Sequence, residues 1–80
     1  MRLYVGNFNY STTEQELKRL FAKQGPVIDV RIVQEQATRQ SKCFGFVKMQ
    51  TKSDGEKAIT ELHGKLINKH HIEVRKAKRI

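Results

Sequence analysis

Residues 42–49, KCFGFVKM, place two aromatic side chains two positions apart on either side of a glycine. In a β-strand, alternate residues point to opposite faces of the sheet. If this segment is a strand, Phe44 and Phe46 lie on one face, and Val47 and Met49 lie on the other. Only one of these faces can fill a core, so the fold depends on which face the rest of the chain covers.

The segments on both sides of this stretch alternate between strand and helix patterns. Strands are predicted where β-branched and other apolar residues alternate with polar ones, at residues 2–7, 27–34, 43–50 and 71–77. Helices are predicted where apolar residues recur three and four positions apart, at residues 11–25 and 53–64. The element order is therefore βαββαβ, and residues 35–42 form a polar connection.

Each predicted helix has a start signal and one apolar stripe. Ser11, Thr12 and Thr13 each precede a Glu or Gln by three residues, so a capping box is available wherever the first helix begins. Ser53 and Glu56 predict a capping box for the second helix. The stripes consist of Leu17, Leu20 and Phe21 in the first helix, and of Ala58, Ile59 and Leu62 in the second.

Two helices and four strands indicate an α+β two-layer sandwich, with both helices on one face of a four-stranded antiparallel sheet. Each helix has only one apolar stripe, so together they can cover only one face of the sheet. The other face must meet solvent or a ligand. The residues predicted to face the helices are Leu3, Val5, Val30, Ile32, Val47, Met49, Ile72 and Val74. The residues predicted on the open face are Tyr4, Arg31, Phe44, Phe46, Lys48, Glu73 and Arg75.

The charge balance favours a polyanionic partner. The 80 residues include 16 Lys and Arg against 8 Asp and Glu, which gives a formal net charge of +8. A small domain this basic favours nucleic acid as the partner, and an anionic membrane is the second candidate. The third possibility is that the charged surface only keeps the chain soluble. Membrane attachment is not expected, because the sequence has no apolar run near the roughly 20 residues of a membrane span and no basic amphipathic helix with exposed apolar bulk.

Two segments together resemble a known family, the RNA recognition motif. LYVGNF (3–8) is similar to the family's short hexamer, and KCFGFVKM (42–49) is similar to its octamer, Lys/Arg-Gly-Phe/Tyr-Gly/Ala-Phe-Val-x-Phe/Tyr. The resemblance covers essentially the whole chain, including ELHGK (61–65) after the second helix. It implies a ferredoxin-like domain at residues 1–77, a basic C-terminal tail at residues 78–80, and binding of single-stranded RNA.

The resemblance also implies which side chains bind RNA. In the family, the positions matching Tyr4 and Phe46 stack on successive bases, and the position matching Phe44 packs against sugars. The position matching Lys42 meets a phosphate. Open-face cations are further candidates for phosphate contacts, and a solvated charge is the alternative for each. The basic run RKAKR (75–79), which continues past the last strand, is another candidate, and a disordered tail is its alternative. The candidate RNA-binding residues are Tyr4, Phe44, Phe46, Lys42, Arg2, Arg31, Lys48, Arg75, Lys76 and Lys78.

The chain departs from the family pattern at three places. Cys43 replaces the usual second glycine of the octamer, which affects loop geometry more than ring placement. Met49 replaces the final aromatic residue at a position predicted to face the helices. Asn68 and Lys69 stand where the family often has a turn glycine, which predicts backbone strain there. A chain that begins at its own Met and consists of one such domain also resembles the small single-domain bacterial members.

Other classes of function have little support. His63, His70 and His71 have no Cys, Asp or Glu at a metal-ligand spacing, and Cys43 has no partner base, so no metal, cofactor or enzymatic activity is expected. A protein-binding module on the same scaffold remains the alternative to RNA binding. We expect a monomer that also binds single-stranded DNA in vitro and has no small-molecule substrate. The single cysteine favours a reducing compartment, so the expected location is the cytoplasm. The expected role there is post-transcriptional regulation.

Overall fold

The structure, a computed structural model, describes residues 1–9, 11–35 and 42–77. Within these residues the elements in chain order are β1 (Arg2–Gly6), α1 (Glu14–Ala22), β2 (Val27–Glu35), β3 (Lys42–Met49), α2 (Lys52–Leu62), β4 (Leu66–Ile67), β5 (His70–His71) and β6 (Glu73–Lys76). Four strands form an antiparallel sheet in the order β2–β3–β1–β6, and β4 and β5 form a separate hairpin. The predicted α+β class and the four-stranded antiparallel sheet are confirmed. Most of the predicted polar connection and the predicted tail at 78–80 lie outside the described residues.

Both helices pack against one face of the sheet, and the hydrophobic core lies between the two layers. Six of the eight residues predicted to face the helices are buried in this core, and the other two, Val30 and Ile32, are partly buried and pack against it. Met49, which replaces an aromatic residue of the family pattern, is fully buried there. The core also contains Phe8, which was not predicted. Asn7 has a φ of 59° and turns the chain after β1, so that Phe8 is only 3% exposed.

Helix α1 begins at the third of its three possible caps. Thr13 has an extended backbone, and its Oγ1 accepts a hydrogen bond from the N–H of Glu16 at 3.2 Å. This bond satisfies one of the free amide groups in the first turn. The helix is shorter than the predicted range of 11–25, because Ser11 and Thr12 precede the cap and the helix ends at Ala22.

Helix α2 begins earlier than predicted. Thr51 is its N-cap, and Oγ1 of Thr51 accepts a hydrogen bond from the N–H of Asp54 at 3.0 Å. The predicted capping box of Ser53 and Glu56 is wrong, because the helix starts at Lys52 and Ser53 already lies in its first turn. A threonine in extended conformation two residues after the end of β3 takes the cap instead.

The hairpin of β4 and β5 replaces the beginning of the predicted last strand, which is restricted to Glu73–Lys76. Its turn contains Asn68 and Lys69 with φ values of 49° and 70°, which agrees with the strain predicted from the missing glycine. The Asn68 side chain donates hydrogen bonds to Oγ1 of Thr12 at 3.3 Å and to Oε2 of Glu16 at 3.2 Å. These contacts tie the turn to the start of α1.

Strand β2 forms one edge of the sheet, and carboxylates cover two of its outward amide groups. The N–H of Ile32 donates to Oε2 of Glu14 in α1 at 3.0 Å, and the N–H of Val30 donates to Oδ1 of Asp29 at 3.0 Å. An uncovered edge could pair with the strand of another chain, so these bonds protect the sheet. A break in register at Ile28 leaves this side chain without a cross-strand partner and 57% exposed.

Candidate nucleic-acid interface

The sheet face opposite the helices carries three rows of side chains, each formed by cross-strand partners. The first row runs from β2 to β1 and contains Asp29, Lys48 and Arg2. The middle row runs from β2 to β6 and contains Arg31, Phe46, Tyr4 and Arg75. The third row contains Val33, Phe44, Gly6 and Glu73. Two aromatic rings therefore lie between two arginines, and the third ring lies in the adjacent row.

The three rings form one cluster on this face. The ring centroids of Tyr4 and Phe44 are 6.2 Å apart, and the two planes differ by only 21°. Phe46 stands edge-on to both, with its centroid 6.2 Å from that of Tyr4 and 6.1 Å from that of Phe44. All three side chains are half-buried, since each ring shields part of its neighbours and leaves the rest to solvent. Exposed aromatic surface of this kind is what unpaired bases stack on.

The position of the Tyr4 ring depends on Gly6. A Cβ atom built on Gly6 would lie 2.6 Å from the hydroxyl oxygen of Tyr4 and 2.9 Å from its ring. The Tyr4 side chain therefore lies along its own strand, over the glycine, and towards Phe44. Because Gly6 is the cross-strand partner of Phe44, the missing side chain is what allows the two rings to lie nearly parallel.

The cations on this face are held only loosely by other protein groups. Nε of Arg31 lies 3.5 Å from a carboxylate oxygen of Asp29, and the two side chains are 78% and 54% exposed. Nη2 of Arg75 lies 3.7 Å from a carboxylate oxygen of Glu73, and its guanidinium carbon lies 4.8 Å from the Tyr4 ring centroid. Ion pairs this exposed contribute little and exchange easily for other anions. Both arginines can therefore bind a phosphate that reaches the rings.

The open face brings together seven of the ten candidate residues: Tyr4, Phe44, Phe46, Arg2, Arg31, Lys48 and Arg75. Lys42 starts β3 opposite Glu35, but its side chain lies outside the described residues, as does Lys78. Lys76 does not join the group. It is the cross-strand partner of Leu3, whose side chain is in the core, so Lys76 lies on the helix side of the sheet.

Two residues of this face, Val33 and Asp29, were not predicted from the sequence. Val33 is 38% exposed and is the cross-strand partner of Phe44, so it adds apolar surface beside the rings. Asp29 is the cross-strand partner of Lys48 and brings a negative charge. The alternation that placed Arg31 on the open face also places Asp29 and Val33 there, because they lie two positions before and after it. The signal was therefore present in the sequence.

Two of the three histidines, His63 and His71, make hydrogen bonds with the backbone. Nδ1 of His63 accepts a hydrogen bond from the N–H of Val74 at 3.1 Å, and Nδ1 of His71 lies 3.0 Å from the carbonyl oxygen of Gly64. Among the residues that the structure describes, no three metal-ligating side chains come together. Neither helix in these ranges is long and apolar enough to cross a membrane.

Comparison with known proteins agrees with this geometry. Residues 3–73 match the RNA recognition motif. The chain belongs to the RNA recognition motif family. The matched range runs from the first residue of the hexamer to the start of β6, so it contains both motif strands and both helices.

Similar proteins contain this domain within longer chains. The domain is 38% identical over 76 residues to a probable arginine/serine-rich splicing factor 4 of Caenorhabditis elegans, covering 95% of the present chain and 39% of that protein. It is 36% identical over 77 residues to the chloroplastic small RNA-binding protein 11 of Arabidopsis thaliana, covering 96% and 53%. The chain thus spans about half or less of the curated relatives that it matches. These relatives come from a nematode and a plant, and they give no support to a bacterial source.

One solved structure is similar over its whole length. The crystal structure of the RNA-binding protein PG1 has a TM-score of 0.89 and 34% identity, and the match covers 100% of the present chain and 96% of that chain. The ferredoxin-like arrangement expected from the two motifs is therefore the fold of this domain.

Proposed function

We propose that the domain binds single-stranded RNA on the open face of its sheet, stacking bases on the rings and holding phosphates with Lys and Arg. The observation that carries this proposal is the middle row, in which Phe46 and Tyr4 lie between Arg31 and Arg75. Bases can stack on the two rings, while the arginines at both ends lie within reach of the backbone that connects the bases. The RNA-binding names of two similar proteins support the same function.

The magnitudes agree with binding of a short segment. Stacking of one base on an aromatic side chain contributes about 1–3 kcal/mol, so two stacked bases support weak binding by themselves. Phosphate contacts add affinity that falls with salt concentration. Duplex RNA would bind less well, because its bases are already stacked and a flat sheet cannot reach their faces.

A competition experiment tests the proposal. A fluorescent single-stranded RNA of six to eight nucleotides is titrated with the domain, and unlabelled single-stranded and duplex RNA of equal charge then compete for it. The single strand should displace the probe at a lower concentration than the duplex. Equal competition would mean that the domain binds charge alone, and the stacking half of the proposal would fail.

We propose that the domain is a monomer, that single-stranded DNA binds to the same face in vitro, and that the domain neither catalyses a reaction nor takes a small-molecule substrate. Stacking and phosphate contacts do not require a 2′-hydroxyl group, which supports DNA binding. Light scattering after gel filtration, and titration with a DNA oligonucleotide of the same sequence, test the first two points.

The protein-binding alternative predicts a covered or non-aromatic face. The described residues leave all three rings partly open to solvent and place both helices on the opposite face, which favours RNA binding over protein binding.

We propose a role in post-transcriptional regulation in the cytoplasm, supported by RNA binding and by the single cysteine. Cell fractionation tests the location. Recovery of the protein in a chloroplast fraction, the location given in the name of the plant relative, would refute it.

A further inference from the structure

A shallow depression lies beside the Phe46 ring on the open face. Its volume is about 50 Å³, and it is lined by Arg2, Asp29, Arg31, Phe46 and Lys48. The space is too small for a whole base, but it can admit the edge of a base that stacks on Phe46. Four of the five lining residues are charged, so the depression is suited to polar contacts rather than to further stacking.

Asp29 brings the only hydrogen-bond acceptor among these side chains. Its Oδ1 accepts the N–H of Val30 at 3.0 Å, and Oδ2 faces Nε of Arg31 at 3.5 Å. Each carboxylate oxygen can accept more than one hydrogen bond, so both oxygens retain capacity. The ion pair with Arg31 is long and exposed, and it opposes a new contact only weakly. Asp29 can therefore accept hydrogen bonds from a ligand.

The first row fixes the order of polar groups along the depression. From β2 to β1 it presents an acceptor at Asp29 and donors at Lys48 and Arg2, on strands about 4.8 Å apart. A base stacked on Phe46 lies next to this row, because Lys48 follows Phe46 by two positions on β3 and points to the same face of the sheet. Cross-strand and diagonal neighbours at such spacing lie within reach of a base-sized ligand.

Guanine is the base that matches this order most fully. Its Watson–Crick edge has two adjacent donors, the N2 amino group and N1–H, followed by the acceptor O6, and the acceptor N7 lies next to O6 on the Hoogsteen edge. We infer that, if the open face binds RNA as proposed above, this depression is a guanine subsite in which Asp29 accepts from N1 and N2 while Lys48 and Arg2 donate to O6 and N7. Cytosine has one donor followed by two acceptors, so it ranks second. Adenine and uracil lack this order.

The test compares oligonucleotides that differ at one base. A short uridine-rich RNA carries G, inosine, C, A or U at one central position, and fluorescence anisotropy gives Kd at one fixed salt concentration. Bidentate contacts to a base edge discriminate by about fivefold to a hundredfold, so G should bind at least about fivefold more tightly than A or U. Inosine lacks only the N2 amino group and should fall between G and A.

Two matched variants separate recognition from charge. Asp29→Asn and Glu73→Gln each remove one carboxylate from the open face, so both should raise affinity for the A and U oligonucleotides to a similar extent. Glu73→Gln should raise affinity for the G oligonucleotide as well, whereas Asp29→Asn should not, because it also removes the contact to guanine. Only Asp29→Asn should bring the ratio of G to A affinities close to one. Circular dichroism melting of both variants excludes a change of fold.

Three outcomes have distinct meanings. Equal affinity for all five oligonucleotides in the parent would overturn the guanine subsite while leaving RNA binding intact. A G preference that survives Asp29→Asn would overturn the role of Asp29. Absence of binding to every RNA would overturn the proposed function together with this inference.

Discussion

Single residues decide how the rings are presented. Tyr4 lies over Gly6, and a Cβ at Gly6 would come within 2.6 Å of its hydroxyl oxygen. The collision involves the far end of a side chain that can move, rather than backbone. Substitution should therefore displace the ring from its near-parallel position beside Phe44 without disturbing the core below.

We accordingly predict that Gly6→Ala weakens single-stranded RNA binding by about 1 kcal/mol, the lower end of the stacking contribution of one base, with little change in melting temperature. Titration with one short RNA measures the effect. A double-mutant cycle is the control, because Gly6→Ala should have no further effect once Tyr4→Ala has removed the ring. An equal loss in both backgrounds would show that Gly6 acts independently of Tyr4.

The neighbours Phe46 and Val47 offer a matched pair, since they are adjacent in β3 and point to opposite faces. Phe46→Ala should weaken RNA binding by at least about 1 kcal/mol and leave the fold intact. Val47 is 0% exposed, so Val47→Ala should lower the free energy of unfolding by an amount on the order of 1–4 kcal/mol. Thermal melts and RNA titrations of both variants measure this. The reverse pattern would mean that the faces of β3 are assigned the wrong way round.

At the scale of elements, the helices are positioned by short polar contacts at their ends. Thr13 and Thr51 each accept an amide hydrogen bond from the third residue after them. Several residues near each start could have served, because Ser and Thr are common before both helices. The cap is selected by where the preceding chain leaves the sheet or loop in an extended conformation.

Thr51→Ala should therefore destabilise the domain by about 1 kcal/mol, while Ser53→Ala should have almost no effect. Ser53 is exposed in the first turn of α2, which makes it a suitable control for the loss of a hydroxyl group. Urea denaturation gives both free energies. A larger loss for Ser53→Ala would restore the capping box that sequence analysis predicted.

For the whole molecule, the important property is that charge and aromatic surface share one face. The formal net charge is +8, and Arg2, Arg31, Lys48 and Arg75 surround the rings. Salt screens and competes with phosphate contacts, whereas it affects stacking much less. A salt series therefore separates the two contributions to RNA binding.

If three or four cations meet phosphates, the logarithm of affinity should fall with the logarithm of salt concentration with a slope of about −2 to −3. Lys42→Ala should reduce the magnitude of the slope by up to about 0.7, since it removes one phosphate contact. Phe46→Ala should lower affinity at every salt concentration with little change in slope. Lys76→Ala is the control on the helix side of the sheet and should leave the slope unchanged. A parent affinity that does not respond to salt would exclude phosphate contacts.

The sequence by itself determined the layering of the fold and the face that carries the rings. Alternation along a strand is a local property, and apolar residues on one side of each strand must meet the single apolar stripe of each helix. Leu3, Val47 and Val74 were therefore assigned correctly without knowledge of strand order. The same alternation, continued from Val74, places Lys76 on the helix side of the sheet, away from the rings.

The tertiary structure alone decided which side chains meet across the strands. The row of Asp29, Lys48 and Arg2 depends on the register of three strands, and a break in register at Ile28 precedes it. The hairpin at residues 66–71 depends on contacts such as the bond from Asn68 to Glu16, 52 positions apart in sequence. Periodicity reports the face of a residue but not its neighbour, because the pairing of strands is set by packing and hydrogen bonds between segments far apart in the chain.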